Sequence, residues 1–401
     1  MSSLRGLPRV AFVTYSTKPR GGVVHTLSLG EGLQWLGYPA HVIALGDPDK
    51  GFFRPVSMPC DFIPPPPEAP TLVERVEATI AALTEGLRAL VPGRFDVLHV
   101  QDCLAARAAT QLRAEGMPIR VIRTVHHVDD FTTQSLIDCQ HRSVVDPDHV
   151  LVVSDYWRRR LADEYGVQAT VVVNGVDTGR FARPPGFDSQ PSRARTATSG
   201  RFLFLSVGGL EPRKGSIYLV EALARIRDRV MPRPMVAVVG EHSFQDHSSY
   251  TAAVLARAAE LGLKRSEDLL LLGTVPDVAM AEWYWSADAL VFPSVKEGWG
   301  LAVLEAMAAG LPVITSDIPV FKEYLDSDKE VSMVRAADSV ALADAMAEMV
   351  TNADLRQRLT SEGPIVAARY TWEACARQHL DFYRRLGSGH AAAGEASRAQ
   401  D

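Results

Sequence analysis

Apolar runs of four to six residues alternate with helical stretches along most of the chain, and this alternation constrains the fold more than any other feature. Residues 10–15 (VAFVTY), 40–45, 96–100, 119–124, 149–153 and 170–173 form a first series. Between them, residues 23–36, 72–90, 104–115 and 156–165 carry helical periodicity. A continuous apolar run leaves no solvent face, so such strands are buried on both sides, and intervening helices make consecutive strands parallel. The pattern predicts an α/β fold built on a doubly wound sheet.

The alternation stops at residues 184–192 (PPGFDSQPS), a Pro/Gly/Ser-rich connection with few apolar residues, and resumes with strand signals at 202–207, 235–239, 269–272, 289–292 and 312–315. A length of 401 residues suits two domains of ordinary size. The expected division is a first domain over 1–185, a linker over 186–200 and a second domain over 201–369. An amphipathic helix at about 370–386 is expected to pack back on the first domain, and residues 387–401 are expected to form a flexible tail. Residues 64–67 (PPPP) form a stiff connection.

Composition removes several function classes. The net charge of -6 argues against a nucleic-acid binder that relies on neutralising phosphates. The four cysteines are far apart with no Cys-x-x-Cys pair, so neither a disulfide framework nor a thiolate zinc site is signalled, and they are expected to fill core space. No apolar run is long enough to span a bilayer and the first residues lack a signal-peptide pattern, so a cytoplasmic location is expected. Arg158-Arg159-Arg160 on a helix could touch anionic lipid, but a short cluster of this kind is more often a solvated helix face.

Ligands of open α/β sheets bind beyond the carboxyl ends of the strands, and two such domains are expected to place those ends across a cleft. The residues that can carry chemistry do follow strands. Gly21-Gly22 precede a helix whose amides an anion could approach. In residues 292–308 (FPSVKEGWGLAVLEAMA), the amides of Gly300, Leu301 and Ala302 open a helix and suit a phosphate. Glu297 and Glu305 flank that point and suit neutral hydroxyls rather than a diphosphate. Arg213 and Lys214, in the loop after the first strand of the second series, supply the positive charge that a departing diphosphate needs.

Glu297 to Glu305 within EGWGLAVLEAMA resembles the signature of retaining GT-B glycosyltransferases of the family-4 type (glycosyltransferase group 1). GGLEPRKG at 208–215, GGV at 21–23, TVHH at 124–127, SDY at 154–156 and NGVD at 174–177 with Phe181 resemble further segments of that family, in its order. The resemblance implies a GT-B fold, with two Rossmann-like domains facing a cleft. It also implies transfer of a sugar from a nucleotide-diphosphate donor, expected to be a UDP- or GDP-sugar, to an acceptor the sequence does not identify. Glu305 would bind the ribose, and Glu297 the hydroxyls of the donor sugar. Gly300, Leu301 and Ala302 would hold phosphate, Lys214 with Arg213 would neutralise the leaving group, and Gly21-Gly22 would let backbone approach it. His126 would lie near the sugar and acceptor, its choice over His127 being one of register. The base would lie near Gly273-Thr274, and the loop from Asp129 to Arg142 is expected to help read the acceptor.

The resemblance implies no cofactor and no metal. The triplets Asp47-Pro48-Asp49, Asp146-Pro147-Asp148 and Asp326-Ser327-Asp328 are read as turns. One departure stands out: Gly209 occupies the place where the family often has an arginine, in a loop one residue shorter than usual. It prompts one alternative, a catalytically idle protein that senses a nucleotide sugar or glycan; a sugar-nucleotide epimerase-type reaction on the same fold is a second, independent of Gly209.

Overall fold

The computed structural model describes residues 6–241, 247–327 and 329–398, with side chains to Leu386. Contacts divide the chain into two units, residues 1–175 with 372–401, and residues 176–371.

The first unit carries β1 (Val10–Thr14), α1 (Gly21–Trp35), β2 (His41–Leu45), β3 (Cys60–Ile63), α2 (Leu72–Leu90), β4 (Val97–Val100), α3 (Cys103–Ala114), β5 (Arg120–Val125), α4 (Gln134–Val145), β6 (His149–Val152), α5 (Asp155–Tyr165) and β7 (Thr170–Val171). Its sheet runs β3-β2-β1-β4-β5-β6-β7 and every pairing is parallel. All five residues of β1 are buried, as a strand covered by helices on both faces requires. Polar side chains start the helices where the strands end. Asp102 accepts from the Ala105 amide, Ser154 from that of Trp157, and Thr71 forms a capping box with Glu74.

The second unit carries α6 (Thr178–Phe181), α7 (Gln190–Arg195), β8 (Phe202–Val207), α8 (Ser216–Ile226), β9 (Pro234–Val239), α9 (Ser248–Glu260), β10 (Leu269–Gly273), α10 (Asp277–Ser286), β11 (Ala289–Phe292), α11 (Leu301–Ala308), β12 (Val313–Ser316), α12 (Pro319–Lys322), β13 (Ser332–Val334), α13 (Ser339–Thr351) and α14 (Ala353–Ala367). Its sheet runs β10-β9-β8-β11-β12-β13, again parallel throughout. In each sheet the strand order reverses beside the first strand, between β1 and β4 and between β8 and β11. Ligands of open α/β sheets commonly bind outside the carboxyl ends of the strands at such a reversal.

Several expectations are corrected. The first unit ends at Gly175, because Val176 pairs with Thr371 and its amide donates to the Tyr370 carbonyl at 2.9 Å. The expected linker over 186–200 belongs to the second unit and contains α7. The edge strands β3 and β13 were not expected; they are short and mostly half-buried, so they lack a continuous apolar run. Within the expected acceptor loop, residues 134 to 142 are helical, in α4. The last helix, α15 (Trp372–Arg398), belongs to the first unit and continues through the expected flexible tail, where an alanine-rich composition favours helix; residues 399–401 lie outside the described residues. Asp47 and Asp146 sit in a turn and a helix end, as expected, and Asp328 lies outside the described residues. Only Cys375 is buried outright; Cys60, Cys103 and Cys139 are half-buried.

The core of the first unit holds polar rings at its centre. His99 on β4 bonds Tyr383 of α15 at 2.6 Å and Thr124 of β5 at 2.7 Å. His379 of α15 donates to the Cys375 carbonyl at 2.9 Å, and its Nε2 has no hydrogen-bond partner. Burial holds these rings neutral: His99 lies well below the usual imidazole range and His379 falls to about 4. The unfolded chain protonates the same rings near pH 6.5, so the folded state loses stability as pH falls below that value, by up to about 1.4 kcal/mol per pH unit for each ring. The melting temperature should therefore fall between about pH 6.5 and about pH 5, with a shallower slope in His379→Gln. Equal slopes in the two proteins would contradict this role for His379.

Candidate functional site

The reversal in the second sheet brings together the loops that follow β8 and β11. The β8 loop makes a single 3₁₀ turn over Pro212–Lys214. The amide of Val295, in the β11 loop, donates to the Arg213 carbonyl at 2.8 Å, so the two loops are joined by backbone. Their side chains then converge on one carboxylate oxygen. Oε1 of Glu297 accepts from Lys214 Nζ at 2.6 Å, from Ser294 Oγ at 3.0 Å and from Arg213 Nη1 at 3.2 Å. Arg213 is held from its other side by Glu211, 2% exposed, whose carboxylate lies 3.1 Å from Nε.

Lys214 reaches this point over Gly208, where a Cβ would come within 2.5 Å of Lys214 Cε. Its ammonium lies 4.3 Å from the centre of the Phe292 ring, a favourable cation–π placement. Burial alone would raise the Glu297 carboxyl, but the two cations and the bonds from Lys214 and Ser294 outweigh it and hold it below the usual range. Burial pulls Lys214 down, against the pull of Glu297.

Gly209 also has a physical account. Its φ is +73°, and a Cβ there would lie 2.9 Å from the Glu241 carbonyl oxygen. In this shortened loop no arginine fits at 209 without moving backbone, and Arg213 is the guanidinium that reaches Glu297.

Gly300, with φ +96°, caps α11, and the first helical bonds are made by the amides of Val303 and Leu304. The amides of Leu301 and Ala302 therefore have no intrahelical partner, and they sit at the positive end of the helix. Glu305, in the same helix, stands apart from the lysine cluster. Its Oε2 accepts from the Tyr284 hydroxyl of α10 at 2.7 Å. Burial raises the Glu305 carboxyl, opposed by Tyr284 and by Arg180. Arg180 is fixed by Asp277 at 2.9 Å and lies over the Phe181 ring, whose edge meets Tyr284. Arg180 and Phe181, with Asp277 behind the arginine, thus back the glutamate; the Tyr284 partner carries no spacing signal in the sequence.

At the expected base site, Gly273 already accepts from the Gly240 amide at 2.8 Å through its carbonyl, and Glu241 Oε1 lies beside it. A base edge would have to use what remains of that backbone and Thr274.

In the first unit, Gly21 and Gly22 are the first residues of α1 rather than a loop before it. The site of a Cβ on Gly22 lies 3.5 Å from the ring of His126, so His126 faces the glycines, whereas His127 lies 3.5 Å from Asp129. His126 Nε2 donates to Gln101 Oε1 at 3.2 Å, and burial holds its ring below the usual imidazole range. Its ring meets His25 edge-on at 4.7 Å, and His25 in turn donates to Asn174 Oδ1 at 2.8 Å. The pairing of Asn174 with His25 spans 149 residues and is invisible to sequence spacing.

Among the described residues, no group of three or more His, Cys, Asp or Glu side chains could hold a metal ion, and no helix is long and apolar enough to cross a membrane. Arg158 and Arg160 are paired with Asp155 and Glu164, at 2.5 and 2.6 Å, which fits a solvated face.

Comparison with known proteins agrees with this layout. A family model described as glycosyl transferases group 1 matches residues 188–365, and one described as Glycosyltransferase Family 4 matches residues 19–180. A phosphatidyl-myo-inositol mannosyltransferase of Mycobacterium leprae is 30% identical over 382 residues, which is 93% of this chain and 96% of that protein. A D-inositol 3-phosphate glycosyltransferase of Corynebacterium urealyticum is 27% identical over 80% of this chain and 77% of its own length. Among solved structures, sucrose-phosphate synthase from Thermosynechococcus elongatus superposes with a TM-score of 0.77 at 20% identity, covering 95% of this chain and 99% of that one. Anabaena HepE, solved in complex with UDP-glucose, also gives 0.77, at 16% identity over 94% of this chain and 100% of that one. These structures show the fold, an α/β GT-B fold. With a family model on each unit and a 30% identical relative matched along nearly its whole length, the chain belongs to the group 1 glycosyltransferases.

Proposed function

We propose that the chain transfers a hexosyl residue, with retention of anomeric configuration, from a nucleoside-diphosphate sugar to a hydroxyl of an inositol-type polyol. The observation that carries the donor half is the convergence of Lys214 and Arg213 on Glu297, next to the unpartnered amides that open α11. Cations and a helix N-terminus each favour a diphosphate, and this site offers both. The acceptor class is supported by the relatives, whose names place an inositol group in the molecules they glycosylate.

In this mechanism the bond from the anomeric carbon to the diphosphate oxygen breaks, and its electron pair leaves on the phosphate. Lys214, Arg213 and the amides of Leu301 and Ala302 stabilise that charge. The acceptor oxygen bonds to the anomeric carbon from the face the phosphate vacates, and its proton passes to the departing phosphate. Glu305, oriented by Tyr284, accepts from the ribose hydroxyls, and Glu297 accepts from those of the sugar. His126, neutral and donating to Gln101, orients the acceptor side in the first unit. The protein positions and stabilises charge, and no residue forms a covalent intermediate.

Lys214→Met should lower kcat by about a hundredfold or more, as loss of one preorganised charge donor does. Glu305→Gln should instead raise the donor KM about tenfold and change kcat less, since it binds a group remote from the breaking bond. Equal kcat for Lys214→Met and the native protein would overturn the assignment. Proton NMR of the first product formed should show the anomeric configuration of the donor; an inverted anomer would defeat the retaining mechanism.

A further inference from the structure

The cluster around Glu297 poses a question that sugar binding does not answer. A carboxylate reserved for sugar hydroxyls has no need of two cations, yet Lys214 and Arg213 both bond one oxygen of Glu297. The lysine side chain is only 12% exposed and the glutamate 8%. A buried ammonium without a counter-charge is costly, and so is a buried carboxylate. In this pair each neutralises the other.

We propose that Glu297 is the internal counter-anion of Lys214 and Arg213, and that by competing with a diphosphate for them it makes the donor site prefer the nucleoside-diphosphate sugar over the spent nucleoside diphosphate. The inference rests on the donor-site reading above. A diphosphate can engage Lys214 and Arg213 fully only by taking them from Glu297 Oε1. The carboxylate then needs other donors. Ser294 Oγ, at 3.0 Å, supplies one, and the hydroxyls of a bound sugar supply the rest. A nucleoside diphosphate brings no sugar hydroxyls to that oxygen, so Glu297 pulls the cations back and the product is expelled. The geometry suits such an exchange, because Lys214 lies along Gly208 and over the Phe292 ring, an aromatic face that a cation occupies without a fixed hydrogen-bond direction.

Isothermal titration of UDP and of GDP into the native protein, Glu297→Gln, Lys214→Met and the double variant tests this directly. Glu297→Gln should bind its nucleoside diphosphate about tenfold tighter than the native protein, because the competing charge is gone while the shape is kept. Lys214→Met should bind more weakly, and adding Glu297→Gln to it should recover under about threefold, since the lysine is the main partner released. In turnover, Glu297→Gln should show product inhibition at about tenfold lower diphosphate concentration. Glu297→Ala, with its melting curve recorded, provides a second variant in which the gain should recur if the glutamine variant does not fold. Unchanged or weaker diphosphate binding in folded Glu297 variants, with Lys214→Met still weakened, would overturn the counter-anion role and leave the donor site standing. Native protein that binds neither diphosphate, or Lys214→Met that binds as tightly as native, would overturn the donor site and this inference with it.

Discussion

The parallel pairing of β8 with β11 is the constraint from which the rest of the candidate site follows. Those strands are neighbours in space but are separated in sequence by β9, β10 and their helices, so the chain winds away from β8 in one direction and returns on its other side. At such a reversal the loops that follow the two strands share the carboxyl end of the sheet, and here the amide of Val295 donates to the Arg213 carbonyl and ties one loop to the other. One loop carries Arg213 and Lys214, and the other carries Glu297 and opens into α11. The first unit repeats the arrangement at β1 and β4, placing Gly22 against His126 and Gln101.

Charge placement is then a question of what buried side chains tolerate. Lys214, Arg213, Glu211 and Glu297 interlock so that each cation meets a carboxylate, and a chain of net charge -6 keeps a local centre suited to an anion. Such pairs contribute little net stability, because the attraction mostly offsets the cost of removing both charges from water. Their value here is that the cations are kept charged and close to the start of the loop into α11, where a phosphate can compete for them. Glu305 follows a different rule. It has one strong donor, Tyr284, and burial raises its carboxyl, so its orientation comes from the tyrosine rather than from a salt bridge.

Much of this was legible in the sequence because the central strands are uninterrupted apolar runs and the motif residues follow them directly. Val10–Thr14 and Phe202–Val207 stand where the apolar pattern predicts them, and α2 spans Leu72–Leu90, the residues its periodicity predicts. What escaped has a common cause: it depends on contacts between residues far apart in the chain. The edge strands β3 and β13 need only one neighbour and carry no continuous apolar run. The boundary at Gly175 is set by the pairing of Val176 with Thr371, whereas the Pro/Gly-rich stretch that resembles a linker is tied into the second unit, with Phe187 against Trp285 and Ser192 bonded to Glu282. The partners Tyr284 for Glu305 and Asn174 for His25 obey no local spacing. Gly209 reads as a missing arginine in sequence, and only the approach of the Glu241 carbonyl shows why a glycine is required.

The central claim is that the loops after β8 and β11 receive a diphosphate between side-chain cations and helix amides. A crystal structure of the protein with an intact nucleoside-diphosphate sugar tests it most directly. The diphosphate oxygens should lie within hydrogen-bond distance of Lys214 Nζ and of the Leu301 and Ala302 amides. A diphosphate bound away from Lys214 and from the start of α11 would contradict it.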